Sequence, residues 1–162
     1  MSASGGESPA RSGETVMTTQ ATPTRRIVVG VDGSACSIAA LDWALRQAEL
    51  TGAVVEALIT WEWPNTYGVA LVVPEGYDPE ADARTVLEDS LTEARESHPG
   101  TVIRPIVVHS HPAPALVEAS RGADLVVVGS RGHGEFTGML LGSVSEHCVS
   151  NAHCPVLVLR QN

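Results

Sequence analysis

Five short runs rich in valine, isoleucine and leucine punctuate the chain: RRIVVGV (25–31), AVVEALIT (53–60), TVIRPIVVHS (101–110), ADLVVVG (123–129) and PVLVLR (155–160). Runs that are apolar on successive residues suit strands buried on both faces, which is the situation when helices cover both sides of a parallel sheet. The pattern predicts an open α/β fold with a mainly parallel, five-stranded sheet. Pro105 interrupts the third run, and the backbone donor it lacks places that run at a sheet edge.

The intervening segments carry helical spacing. In SACSIAALDWALRQAELTG (34–52), Ile38, Leu41, Leu45 and Ala48 form one apolar stripe, Ser34 can cap the first turn and Gly52 stops the helix. Pro79 suits the first turn of a second helix running through DARTVLEDSLTEARESH (82–98), with Val86, Leu87, Leu91 and Ala94 facing inward and Pro99-Gly100 ending it. APALVEASRG (113–122) and GSVSEHCVSNA (142–152) supply two shorter helices. The long connection WEWPNTYGVALVVPEGYDPE (61–80) holds an extended piece at GVALVV, and its Trp61, Trp63 and Tyr67 could line a lid, bury a partner or form a satellite core. Trp43 is expected to pack against the first helix's neighbours. Residues 1–24 lack any apolar period and read as a flexible tail, leaving 25–160 as one domain and 161–162 as terminal residues.

Charge narrows the partners. Nineteen Asp and Glu against ten Arg, with no Lys, give a formal charge of -9, the opposite of a nucleic-acid binder's basic footprint. Without Lys, a P-loop of the form GxxxxGK[ST] is excluded, so any nucleotide is held differently. Cys36, Cys148 and Cys154 form no disulfide framework; His147, Cys148, His153 and Cys154 lack the CxxC spacing that would fix a zinc site, and no metal ligands are assigned. No signal-peptide core or membrane-length apolar segment is present, which makes the cytoplasm the expected setting and a membrane partner unexpected.

The most informative stretch is GSRGHGEFTGMLLGS (129–143), directly after LVVV. In an open parallel sheet the binding crevice lies beyond the carboxyl ends of the strands. Glycines at 129, 132, 134 and 142 allow close backbone approach there, and the helix that opens at Gly142-Ser143 offers free N–H groups and its positive end to an anion. Phosphate fits that chemistry best. Idle loop turns remain the alternative for Gly132 and Gly134, and simple helix initiation for Gly142 and Ser143. Asp32, just before Gly33-Ser34, could cap the first helix or reach a ribose or a nucleotide-bound cation. Arg131 could pair with phosphate or sit in solvent, and His133 could bind phosphate, face water or close the loop with no chemistry. No nucleophile–base–orienter set is evident, so no catalytic residue is assigned.

The spacing Gly129-x2-Gly132-x9-Gly142-Ser143 resembles the G-2x-G-9x-G-(S/T) signature of the ATP-binding branch of the universal stress protein family. The similarity extends from about Arg25 to Arg160 through IVVGVDGS, GADLVVVGSRG and LLGSVSEHCVSNAHCPVLVL. It implies a Rossmann-like sheet in the order 3-2-1-4-5, a dimer, and ATP as ligand, with Mg²⁺ able to accompany the nucleotide. By the same resemblance, Gly30 and Asp32 border the nucleoside, and Leu58, Ile59 and Thr60 border adenine. Gly129, Ser130, Arg131, Gly132, His133 and Gly134 wrap the ribose and phosphates, while Gly142, Ser143, Val144 and Ser145 contact phosphate oxygens. One departure is Ser110, which stands in VVHSHPAPALVE where the family often has glycine.

The expected function is that of an ATP-binding stress-response or regulatory protein whose nucleotide state alters dimer or partner contacts. A slow nucleotide phosphohydrolase and a non-nucleotide interaction protein on the same scaffold are the alternatives. The C-terminal PVLVLR is expected to pair with its copy in a second subunit, with Val156 and Val158 facing one side and Leu157 and Leu159 the other.

Overall fold

The computed structural model describes residues 24–64, 73–133 and 140–160. Along the chain they form β1 (Arg26–Gly30), α1 (Ala35–Thr51), β2 (Val54–Trp61), α2 (Pro79–Ser97), β3 (Ile103–His109), α3 (Pro112–Ala119), β4 (Leu125–Gly129), α4 (Ser143–Asn151) and β5 (Val156–Leu159). The five strands pair in parallel in the order β3-β2-β1-β4-β5. Both the fold class and the strand order agree with the sequence expectation. Pro105 lies in β3, at one edge of the sheet, as its missing donor requires.

Side chains that alternate along each strand feed two cores. Ile27, Val29, Val55, Ala57, Ile59 and Val127 pack under α1 and α2, while Val28, Leu58, Val126 and Val128 pack under α3 and α4. The edge strand β5 obeys the same rule: Leu157 and Leu159 join the first core, Val156 and Val158 the second. The sheet is thus a middle layer between two pairs of helices. Glu56 interrupts the apolar run of β2 and is nonetheless buried, because Arg26 reaches it through Nε at 3.1 Å and Nη2 at 2.7 Å.

Helix boundaries follow from local chemistry. The Ser34 hydroxyl accepts from the Ser37 amide at the start of α1, and Gly52 closes that helix at φ 70. Pro79 opens α2 after Asp78, whose carboxylate accepts from the amides of Glu80 and Ala81.

Two members of the expected apolar stripes face outward. Ile38 is 36% and Val86 37% exposed, and the inward faces belong instead to Ser37, Ala40, Leu41, Ala44, Leu45 and Ala48 on α1 and to Ala83, Leu87 and Leu91 on α2. Alanines in these stripes let the helices sit close to the sheet, and a residue one position off the stripe is turned about 100° away from it. Trp43 is half-buried against the α1–α2 core, as expected. The GVALVV segment lies outside the described residues except for its last member, Val73, which is exposed. No helix among the described residues is long and apolar enough to cross a membrane. Leu45→Ala should lower stability in urea unfolding by about 2–5 kcal/mol, whereas Ile38→Ala should cost under about 1 kcal/mol, because only the first opens a core cavity.

Candidate functional site

Strand order reverses at β1, which has β2 on one side and β4 on the other. The carboxyl ends of β1 and β4 open there onto a crevice of about 790 Å³. Leu58, Ile59, Val86, Leu116 and Val128 give it an apolar lining, and Gly30 and Val31 lie at the end of β1. A Cβ on Gly129 would fall 2.7 Å from the Cys36 Cβ and 3.0 Å from the Cys36 carbonyl carbon. Gly129 is therefore required by the first turn of α1, which rests directly on the end of β4, before any ligand is considered.

Asp32 organises the near wall. Its Oδ1 accepts from the Ser34 amide at 2.9 Å, and its own amide donates to the Ser37 hydroxyl at 3.3 Å. Partial burial pushes its carboxyl pKa up, but hydrogen bonds from Ser34 and Ser37 and the nearby His133 ring outweigh burial and hold it below the usual carboxylate value. Asp32 thus stays ionised in the crevice, while capping of α1 falls to Ser34. A Cβ on Gly132 would lie 2.5 Å from Asp32 Oδ2, so a larger residue there must displace this carboxylate or lift the loop after β4 off it. The next residue fastens the crossing: His133 Nε2 donates to the Asp32 carbonyl at 2.6 Å.

The far wall is the start of α4. Gly142 is its N-cap and provides no side-chain cap, in contrast to Ser34 on α1 and Asp78 on α2. The Gly142 amide donates to the Ser130 carbonyl at 2.6 Å, and Ser145 Oγ donates to the same carbonyl at 3.2 Å and to the Gly142 carbonyl at 2.9 Å. Ser130 is buried, and its amide donates to the Leu159 carbonyl at 2.6 Å. The first intrahelical bond of α4 runs from the Glu146 amide to the Gly142 carbonyl. The amides of Ser143, Val144 and Ser145, all residues lining the crevice, have no acceptor among the described residues and are left for an outside one.

Most sequence-predicted positions therefore meet in one place. Gly30, Asp32, Leu58, Ile59, Thr60, Gly129, Arg131, Gly132, His133, Gly142, Ser143, Val144 and Ser145 all line the crevice. Ser130 supports it from behind, and Gly134 lies outside the described residues. The Ser145 hydroxyl is engaged within the protein, so its amide is the group turned to the space.

Sequence reasoning missed the wall supplied by α2 and its approach, where Tyr77, Asp82 and Val86 line the crevice. A helical stripe read for core residues carried no signal for them. Trp61 lines the crevice too; its ring stacks on His109 at 4.2 Å and meets Trp63 edge-on at 6.1 Å, and Trp63 meets Tyr77 at 6.3 Å. Trp63 and Tyr77 in that arc are exposed, so it lies at the rim of the crevice; Tyr67 lies outside the described residues. Ser110 continues the β2–β3 ladder, its amide donating to the Trp61 carbonyl at 3.2 Å. No group of three His, Cys, Asp or Glu among the described residues is arranged to hold a metal ion.

Comparison with known proteins agrees with this architecture. The family model described as the universal stress protein family matches residues 23–160. Universal stress protein Rv2623 of Mycobacterium tuberculosis H37Rv is 37% identical over 142 residues, covering 84% of this chain and 45% of the relative; the chain thus spans under half the length of such curated relatives. Among solved structures, the universal stress protein UspA from Lactobacillus plantarum superposes with a TM-score of 0.68 at 21% identity, over 86% of this chain and 100% of that one. A universal stress protein in complex with cAMP superposes with a TM-score of 0.64 at 28% identity, over 85% of this chain and 97% of that one. With a family model spanning the whole α/β domain and relatives of this identity, the chain belongs to the universal stress protein family.

Proposed function

We propose that this chain binds an adenine nucleotide in the crevice, as a cytoplasmic stress-response or regulatory protein whose bound state alters its contacts with a second copy or a partner. The observation that carries this reading is the uncapped N-terminus of α4, with its amides of Ser143, Val144 and Ser145, opening onto an apolar-lined space at the strand-order reversal. An anion on those amides would place an attached nucleoside between Leu58–Thr60 and Asp32, the arrangement that the glycine spacing and its family resemblance imply. The cAMP complex of a 28%-identical neighbour supports the choice of adenine nucleotides as a class. ATP, the ligand of the resembling branch, belongs to that class. Mg²⁺ is the cation that would accompany such a nucleotide, bound to its phosphates.

Gently purified protein should release an adenine nucleotide on denaturation or, if emptied first, give saturable binding heat with ATP, ADP or AMP. Gly132→Val should weaken that binding at least about tenfold, roughly 1.4 kcal/mol, by forcing the loop off Asp32. Absence of any bound nucleotide and of any binding heat would reject the proposal.

The same reading includes self-association through β5. As an edge strand it has one row of backbone groups without a ladder partner in the sheet, and Val156, Leu157, Val158 and Leu159 are all only half-buried. A two-fold copy would cover that edge by antiparallel pairing. Sedimentation should find a dimer in the micromolar range, shifted toward monomer by Val158→Pro through the lost backbone donor. A wild-type chain that stays monomeric throughout that range would contradict the pairing.

A further inference from the structure

Charge in the crevice is unbalanced. Asp32, Glu62, Asp82 and Glu146 line it, against Arg131 as the one lining side chain with a fixed positive charge among the described residues. Asp82 and Glu146 are exposed, sit in the first turns of α2 and α4, and have no cationic partner among the described residues. Glu62 meets the His111 ring at 2.6 Å, a cationic partner only when that ring is protonated. The chain contains no Lys, and the stretches 65–72 and 134–139 add no Arg and one acid, Glu135. A triphosphate site ordinarily sets Lys or Arg and a cation against the tail. Among the described residues the positive side consists of Arg131, the His133 ring when protonated, and the amides of α4, whose macrodipole supplies about half a charge. That answers one phosphate group and little more.

From this we propose that the crevice selects its nucleotide by low charge: an adenosine monophosphate or cyclic monophosphate binds in preference to the free triphosphate. The inference rests on the nucleotide reading above and narrows its ligand class. The lining charges surround one crevice, and within the Debye length of about 10 Å at 0.1 M salt they act on a bound ligand with modest screening. Each further phosphate charge about 8 Å from a lining carboxylate should weaken binding roughly two- to threefold in a water-like dielectric. A divalent cation on the ATP tail would neutralise part of this charge and weaken the discrimination.

The test is calorimetric titration of the full chain with AMP, ADP and ATP in EDTA, at low and at high salt. At low salt, affinity should fall with each added phosphate, by at least about fivefold from AMP to ATP, and the gap should shrink at high salt. The double variant Asp82→Asn, Glu146→Gln should narrow the low-salt gap at least about twofold; both side chains are exposed, and circular dichroism checks that the fold is kept. ATP binding as tightly as AMP in EDTA, or a gap indifferent to salt and to the double substitution, would overturn the charge selection while leaving nucleotide binding intact. Failure of every adenine nucleotide to bind would instead reject the underlying reading, and this inference with it.

Discussion

The Ser130 carbonyl ties the crevice together. It accepts from the Gly142 amide and from Ser145 Oγ, while the Ser130 amide is held by Leu159 on β5. One buried residue, through the peptide groups on either side of it, thereby fixes the start of α4 over the end of β4, and with it the direction of the free amides that follow. Without that tie the loop after β4 would have no fixed relation to the helix it feeds. Gly142 suits the tie sterically: a Cβ there would lie 3.3 Å from the same Ser130 carbonyl oxygen, tighter than an ordinary contact.

Glycine in this loop has two jobs, and they differ by position. Gly129 admits α1 against the strand end, a packing demand, while Gly132 admits the loop against a carboxylate that is kept ionised at the crevice wall. Placing an ionised group beside a prospective phosphate is unfavourable if the ligand is a bare polyanion and tolerable if it reaches the site through a ribose hydroxyl, which can donate to Asp32. Under the proposed function, the near wall would accept a hydrogen bond from a sugar hydroxyl and the far wall would donate to an anion.

Much of this was legible in the chain. The Val-rich runs specify buried parallel strands because their apolar residues are consecutive, and Ser34, Gly52 and Pro79 mark helix ends because their roles depend on local backbone geometry alone. The crevice residues on β4 and α4 were readable from the glycine spacing, and those on β1 and β2 from the family resemblance that the spacing carries. What was not legible depends on how distant segments meet. Ile38 and Val86 look like core residues by spacing, yet the close approach of alanine-rich helix faces turns them outward, and Val86 becomes part of the crevice. Glu56 reads as a defect in an apolar strand until Arg26, 30 positions away, is placed across from it. The role of Gly129 likewise requires knowing that Cys36 lies beneath it.

The central claim is that the first-turn amides of α4 receive a phosphate group. Backbone amide NMR of isotope-labelled protein titrated with AMP tests it most directly. The account predicts saturable shifts that are largest at Ser143, Val144 and Ser145, with accompanying shifts at Gly132 and His133. Shifts confined to another surface, such as the groove between α1 and α2 beside Ile38 and His98, or no saturable shift at all, would contradict it.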